Sequence, residues 1–283
     1  MFPAGTRLDE TARIPVLEAL RTVNAALLDL LRGFTAEDWS KPTVHRDRNV
    51  KDLTAHLLHG SLRSVTNGRD GYRTTTPLIR GTEDLIAFIQ QENREFMTGM
   101  RRISPQILVE LIAMYDPQML ALFENAVPDD LGTGVVWAGE SLSRRWFHIA
   151  REYTEKWHHQ QQLRDATVRP PLYEPALMVP VLETFARGLP FAYRTYDRPE
   201  GTALAIATTG PVSLGWTLHR TGGAWLLWSG TDSAAETSIS IPSEIAWRVW
   251  TKSMGSNEAR AHTEFVGDRD AVNPLVTFVA IMA

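Results

Sequence analysis

The spacing of apolar residues changes once along this chain, near residue 168, and that change limits the folds open to it. Before it, apolar side chains recur at steps of three and four. Between Asp9 and Leu31, the residues Ile14, Leu17, Leu20, Val23, Leu27 and Leu31 fall on one helical face. Asn49 stands where a cap would start a helix through His56. Thr82 stands likewise before a helix with Leu85, Ile86, Ile89 and Phe96 on its apolar side. Ser104 and Pro105 read as a cap and a first helical residue, with a break or kink expected before Pro117. A last helix is expected from Leu142 to Ala166. The Gly-rich connection before it, "LGTGVVWAGE", is long enough to form one rim of a site.

Beyond the change, Pro170, Pro171 and Pro175 oppose continued helix and mark a linker. A helical stretch from Ala176 to Arg194 follows, and then apolar residues alternate. Val212, Leu214, Trp216 and Leu218 share one strand face. Thr221-Gly222-Gly223 reads as a hairpin turn into "AWLLWSG", where Trp225 and Trp228 point to opposite faces. "TSISI" reads as a short strand, Pro242 to Met254 as a helix, "ARAHTEFVGD" as a strand, and Ala271 to Met282 as a closing helix. The expectation is an all-α four-helix bundle over 1–168 followed by a smaller α+β domain over 169–283. A length of 283 residues agrees with two domains.

Composition removes several function classes. A net charge of −4 leaves no basic footprint for nucleic acid or an anionic membrane. The apolar runs look too short to span a bilayer, and Met1 to Asp9 lacks the apolar core of a signal peptide, so a cytoplasmic protein is expected. There is no cysteine, hence no cysteine nucleophile and no thiolate ligand; any thiol chemistry must use a thiol from a small molecule. No G-x-S-x-G or phosphate-binding loop is present.

The chemistry-bearing residues concentrate in "TAHLLHG" and "REYTEKWHHQQQLRDA". Glu155 and His159 are spaced to project from one helix face, and His56 lies in a second helical stretch that can supply a third ligand. Two histidines and a carboxylate suit a divalent metal with open positions. Read without a metal, His56 is a core histidine and Glu155–His159 a helix-surface pair. Against that, His148, Glu152, Glu155 and His159 fall within about 60° on one helix face. Trp146, Phe147, Tyr153 and Trp157 around them point to burial, where such groups need a partner. His59, one turn from His56, and His158, beside His159, could be mistaken for ligands, but His158 points about 100° away from His159 and should miss the site. His148 and Glu152 read either as groups that orient a ligand and carry protons or as a local surface pair. Arg220, near the hairpin turn, reads as a contact for an anionic cofactor or substrate, or as a solvated arginine.

The stretch from Trp39 to Leu57, "WSKPTVHRDRNVKDLTAHL", resembles a helix signature of the DinB-like superfamily, in particular its mycothiol-dependent maleylpyruvate isomerase family. A Trp and a Pro precede V-x-D-x-x-x-H-L, here Val50, Asp52, His56 and Leu57. Glu155 and His159 match the family's E-x-x-x-H, and Gln162 a Gln that often follows. Val266, Gly267 and Asp268 resemble a V-x-G-D turn in its sterol-carrier-like C-terminal domain, with no residue between the Val and the Gly. The resemblance implies His56, Glu155 and His159 as metal ligands, with zinc foremost and nickel, iron or manganese as alternatives. It implies a low-molecular-weight thiol such as mycothiol or bacillithiol and a small electrophilic substrate, in a monomer or homodimer. In the namesake reaction the thiol adds to maleylpyruvate, rotation follows, and elimination gives fumarylpyruvate. The same ligands also fit a metal-dependent hydrolase using metal-bound water, or a non-catalytic protein binding a metal and an apolar ligand.

Overall fold

A computed structural model describes residues 1–73 and 77–280. The expected helical bundle followed by an α+β domain is what forms. Five helices come first: α1 (Leu17–Arg32), α2 (Val50–Gly68), α3 (Thr82–Met100), α4 (Pro105–Glu124) and α5 (Arg145–Thr167). Strands β1 (Leu131–Val135) and β2 (Glu140–Arg144) separate α4 from α5. Then come α6 (Pro175–Ala186), α7 (Leu189–Ala192), β3 (Ala203–Thr209), β4 (Gly215–Thr221), β5 (Ala224–Ser229) and β6 (Thr237–Pro242). The chain closes through α8 (Ser243–Trp250), α9 (Ser256–Ala261), β7 (Glu264–Val266) and α10 (Val272–Thr277). Two compact units result. Val16–Pro128 with Arg151–Leu172 make the helical one; Met1–Pro15, Asp129–Ala150 and 173–280 make the sheet-containing one.

In the helical unit, α4 packs on α1 and α2, and α3 lies along α2. Leu27, Leu31, Leu53, Leu58, Leu108, Ile112 and Leu163 fill the core between them. Helix α5 is fixed to α1 by a hydrogen bond from Gln160 Nε2 to the Val23 carbonyl at 2.9 Å. Both Asn49 and Ser104 act as caps through their side chains. Three details differ from the sequence reading. Helix α1 begins only at Leu17, after Pro15. Thr82 is the first helical residue behind Gly81, which offers no side chain to cap it. Helix α4 continues through Pro117 to Glu124, because buried Met119, Leu120 and Phe123 hold its second half in the core. By length and composition α4 is apolar enough to cross a membrane, but it also carries a buried, ion-paired aspartate, Asp116, described below.

The sheet of the other unit has the order β5-β4-β3-β6-β7, with β3 and β6 parallel and the other pairs antiparallel. Register places Ile206 opposite both Trp216 and Ile239, and Leu218 opposite both Leu204 and Leu227. All six are buried, as period-2 alternation requires. Gly222 and Gly223 both have positive φ, 60° and 75°, which a two-residue type I′ hairpin turn demands. Val212 and Leu214 are buried but precede the strand. Trp225 is buried, as the alternation allows for one of the two tryptophans on β5. The expected loop before α5 is the β1–β2 ribbon, whose glycines, serines and threonine, part exposed and part buried, give no apolar alternation to read. Leu142 lies in that ribbon, so α5 starts at Arg145. The helix after Pro242 stops at Trp250, and "ARAHTEFVGD" contributes the end of α9 before the three-residue β7. The closing helix runs from Val272 only to Thr277, and Met282 lies outside the described residues.

Candidate metal centre

The helix that carries His56 is anchored at its start. Asn49 and Asp52 form a reciprocal capping box, with Asp52 N–H donating to Asn49 Oδ1 at 2.9 Å. Arg101, at the end of α3, grips both Asp52 oxygens, each at 2.9 Å. This bidentate contact fixes where α2 begins and therefore where His56 sits, one further turn along.

From α2 and α5, ligand atoms of His56, Glu155 and His159 come within 4.8 Å of one another. The His56 and His159 rings meet edge to face at 4.7 Å between centroids. His159 Nε2 lies 3.3 Å from Glu155 Oε2, which equals the roughly 3.3 Å between neighbouring ligands of a tetrahedral zinc with bonds of about 2.05 Å. His159 Nδ1 donates to Gln162 Oε1 at 2.7 Å. That bond commits the ring proton to Nδ1 and turns the Nε2 lone pair towards the Glu155 carboxylate. Two acceptors facing each other at 3.3 Å repel unless a cation lies between them. Among the described residues His56 Nδ1 is also buried without a hydrogen-bond partner, a costly state for a polar atom. Both features fit a metal ion.

Electrostatics favours the required protonation states. Burial holds the His56 imidazole well below its ordinary pKa, with the neighbouring His159 adding to the effect. Burial alone would raise Glu155; the imidazoles of His158, His159 and His56 outweigh it and hold the carboxyl well below its usual range. A neutral imidazole and an ionised carboxylate are the forms that bind a divalent cation.

The two alternative histidines are engaged elsewhere. His59 Nδ1 meets Asn93 Oδ1 at 3.0 Å and its ring stacks on Phe96 of α3 at 4.5 Å. His158 is fully buried and its Nδ1 donates to the Thr154 carbonyl at 2.7 Å; burial lowers its pKa to about 3. Glu152 faces Gly60 of α2 and accepts from Arg63 Nη2 at 3.3 Å. His148 lies on the part of α5 grouped with the sheet unit. Arg220 also belongs to that unit, on the inward face of β4. Its side chain is 14% exposed, lies 3.4 Å from Asp197 and stands over the Trp225 ring.

Two residues, one beside the triad and one beside Glu152, carry no sequence signal from spacing. His45, in the loop before α2, places Nε2 3.2 Å from the same Gln162 oxygen and its ring 6.2 Å from that of His159. Burial lowers its pKa to about 4. Gln162 thus joins a loop imidazole to His159. Arg63 is the other: a half-exposed arginine reads as solvated until Glu152 is found beside it.

Residues 20–164 match the profile of the mycothiol maleylpyruvate isomerase N-terminal domain. No curated protein matches the sequence. Among solved structures, the fold is similar to that of a mycothiol-dependent maleylpyruvate isomerase. The identity is 12% and the TM-score 0.51, covering 82% of this chain and 86% of the other. A histidine-to-alanine mutant of a mycothiol-dependent maleylpyruvate isomerase gives 11%, a TM-score of 0.50 and the same coverage.

Proposed function

The chain belongs to the mycothiol maleylpyruvate isomerase N-terminal domain family, and from that premise we propose a metal-dependent enzyme that uses a low-molecular-weight thiol on a small electrophile. His56, Glu155 and His159 would hold the divalent cation, with zinc the best match to a donor set of two imidazoles and one carboxylate. The observation that carries this reading is the convergence of their three ligand atoms within 4.8 Å from two separate helices. Once bound, the cation supplies the positive charge that keeps a thiol ionised at neutral pH. The thiol itself has to be external, because the chain has no cysteine. Mycothiol is the first choice, given the family.

The chain's own residues then have separate tasks. Gln162 holds the His159 ring in one tautomer and orientation. Glu155 provides the negative charge of the donor set, and His56 approaches it from α2. Glu152 and His148 are the proton carriers of the proposal, with Glu152 held beside Arg63. Arg220 is proposed to contact an anionic part of the thiol or the substrate. The reaction class is isomerisation by reversible thiol addition, or transfer of the thiol to the electrophile.

Thiol dependence tests the proposal. Zinc-loaded protein is mixed with maleylpyruvate or a reactive electrophile such as a chloro-dinitrobenzene, with and without mycothiol. Turnover only in the presence of the thiol, lost in His159→Ala, is expected. Turnover that needs no thiol would contradict the thiol-using class and favour hydrolysis.

A further inference from the structure

Beside the triad, the helical unit buries an ion pair that the proposed chemistry does not use. Lys156 follows Glu155 on α5; its side chain is 4% exposed, and that of its partner Asp116 on α4 is 1% exposed. The ammonium has three acceptors, as many as it has protons: Asp116 Oδ1 at 2.7 Å, Ser61 Oγ at 2.8 Å and the Leu57 carbonyl at 3.3 Å. Ser61 in turn donates to Asp116 Oδ1 at 2.6 Å. Charges so placed are expensive to desolvate, and apolar residues of similar size would serve the fold equally well. Their retention calls for another reason.

Their attachment points supply one. Leu57 is the residue after His56, and Ser61 lies on the next turn of α2. Lys156 is the residue after Glu155 and one turn before His159. The pair therefore ties α2 to α5 at the level of the triad, and Asp116 braces both against α4. An apolar contact tolerates sliding and rotation of a helix by an ångström or so, whereas three directed hydrogen bonds to one ammonium do not. A metal site needs its donors placed to within about half an ångström. From this juxtaposition we infer that Lys156, Asp116 and Ser61 are positioning residues. They set the register and rotation of α5 against α2, so that Glu155 and His159 meet His56 ready to bind a metal. The inference rests on the metal-site reading above and adds to it the residues that hold the site in shape.

The test separates position from stability. In the double variant Asp116→Leu/Lys156→Met both charges are removed together, so no unpaired charge stays behind. Its thermal unfolding without metal is expected within a few degrees of the parent. Its zinc affinity, measured by chelator competition, is expected to fall at least about tenfold, as when groups that orient metal ligands are lost. With cobalt(II) in place of zinc, the visible absorption bands should shift or broaden. A folded double variant with parental zinc affinity and an unchanged cobalt spectrum would overturn the inference. Should the double variant not fold, Ser61→Ala decides the question. It removes one acceptor and no charge, and a severalfold weaker zinc affinity supports the role while an unchanged affinity overturns it. The parent is measured alongside: if it binds neither zinc nor cobalt, the metal-site reading fails first, and this inference falls with it.

Discussion

The interiors of the two compact units are built on different principles. In the sheet-containing unit the core is mainly apolar and aromatic: Ile206, Trp216, Leu218, Trp225, Leu227, Ile239, Trp247 and Trp250 are all buried, with Glu183 and Arg187 its buried charged residues. In the helical unit, α5 buries Thr154, Lys156, His158, His159, Gln160, Gln161 and Gln162 within nine residues. An apolar interior follows from area removed from water, at about 25 cal/mol per Å². A polar interior costs free energy unless each group is answered. On α5 most of the answers are visible: Gln160 to the Val23 carbonyl, Lys156 to Asp116, His158 to its own helix and His159 to Gln162. The contact between His159 and Glu155 is one that a cation would answer, and among the described residues the His56 Nδ1 atom meets no hydrogen-bond partner. Polar residues kept inside at a cost to stability mark where a fold has been shaped by chemistry as well as by packing.

The contrast can be broken by substitution. Lys156→Ala alone leaves Asp116 buried and unpaired, and is expected to destabilise the helical unit by about 3–5 kcal/mol, read by urea unfolding. In the sheet unit, Leu218→Ala removes an apolar side chain with no exposed surface, and the expected loss is about 3 kcal/mol. Hydrogen exchange should place the first loss in the helices and the second in the sheet. An equal effect in both units from either change would remove the distinction.

Acid sharpens the same contrast. His158 has a folded-state pKa of about 3 against an ordinary 6.5, because burial disfavours its charged form. Between those values the unfolded chain binds the proton and the folded chain does not. The stability it contributes is therefore complete above pH 6.5 and declines as pH falls towards 3. The slope is at most about 1.4 kcal/mol per pH unit. His56 and His45, shifted in the same direction by burial, add to it. Thermal melts of metal-free protein from pH 7 to pH 4 should show the helical unit weakening. A flat profile would show that these imidazoles are not desolvated. The smallest change is Asn49→Ala, which removes the cap of α2 at a cost of about 1 kcal/mol. It should also loosen metal binding slightly, because the helix start positions His56.

Much of this was legible in the amino-acid order, and what was not has physical causes. Helix α2 could be placed from Asn49 and the spacing behind it, and the Gly222-Gly223 hairpin from the only residues that adopt positive φ twice in succession without strain. The triad was legible because i,i+4 spacing puts Glu155 and His159 on one face whatever the tertiary fold. His45 was not, since a loop residue has no period to betray its direction. Nor was the Lys156–Asp116 pair: a lysine on a helix reads as solvated, and Asp116 just before Pro117 reads as the end of a helix. The pairing exists only once α4 continues through the proline and meets α5. The β1–β2 ribbon escaped for the opposite reason, since its small and polar residues are held together by backbone pairing, which leaves no pattern in side chains.

The most direct measurement is the metal content of the protein after zinc reconstitution and desalting, beside His56→Ala treated identically. One equivalent of zinc in the parent and almost none in the variant, with helix content preserved in both, is the predicted result. No stoichiometric zinc in the parent, or equal zinc in both proteins, would contradict a metal centre at His56, Glu155 and His159.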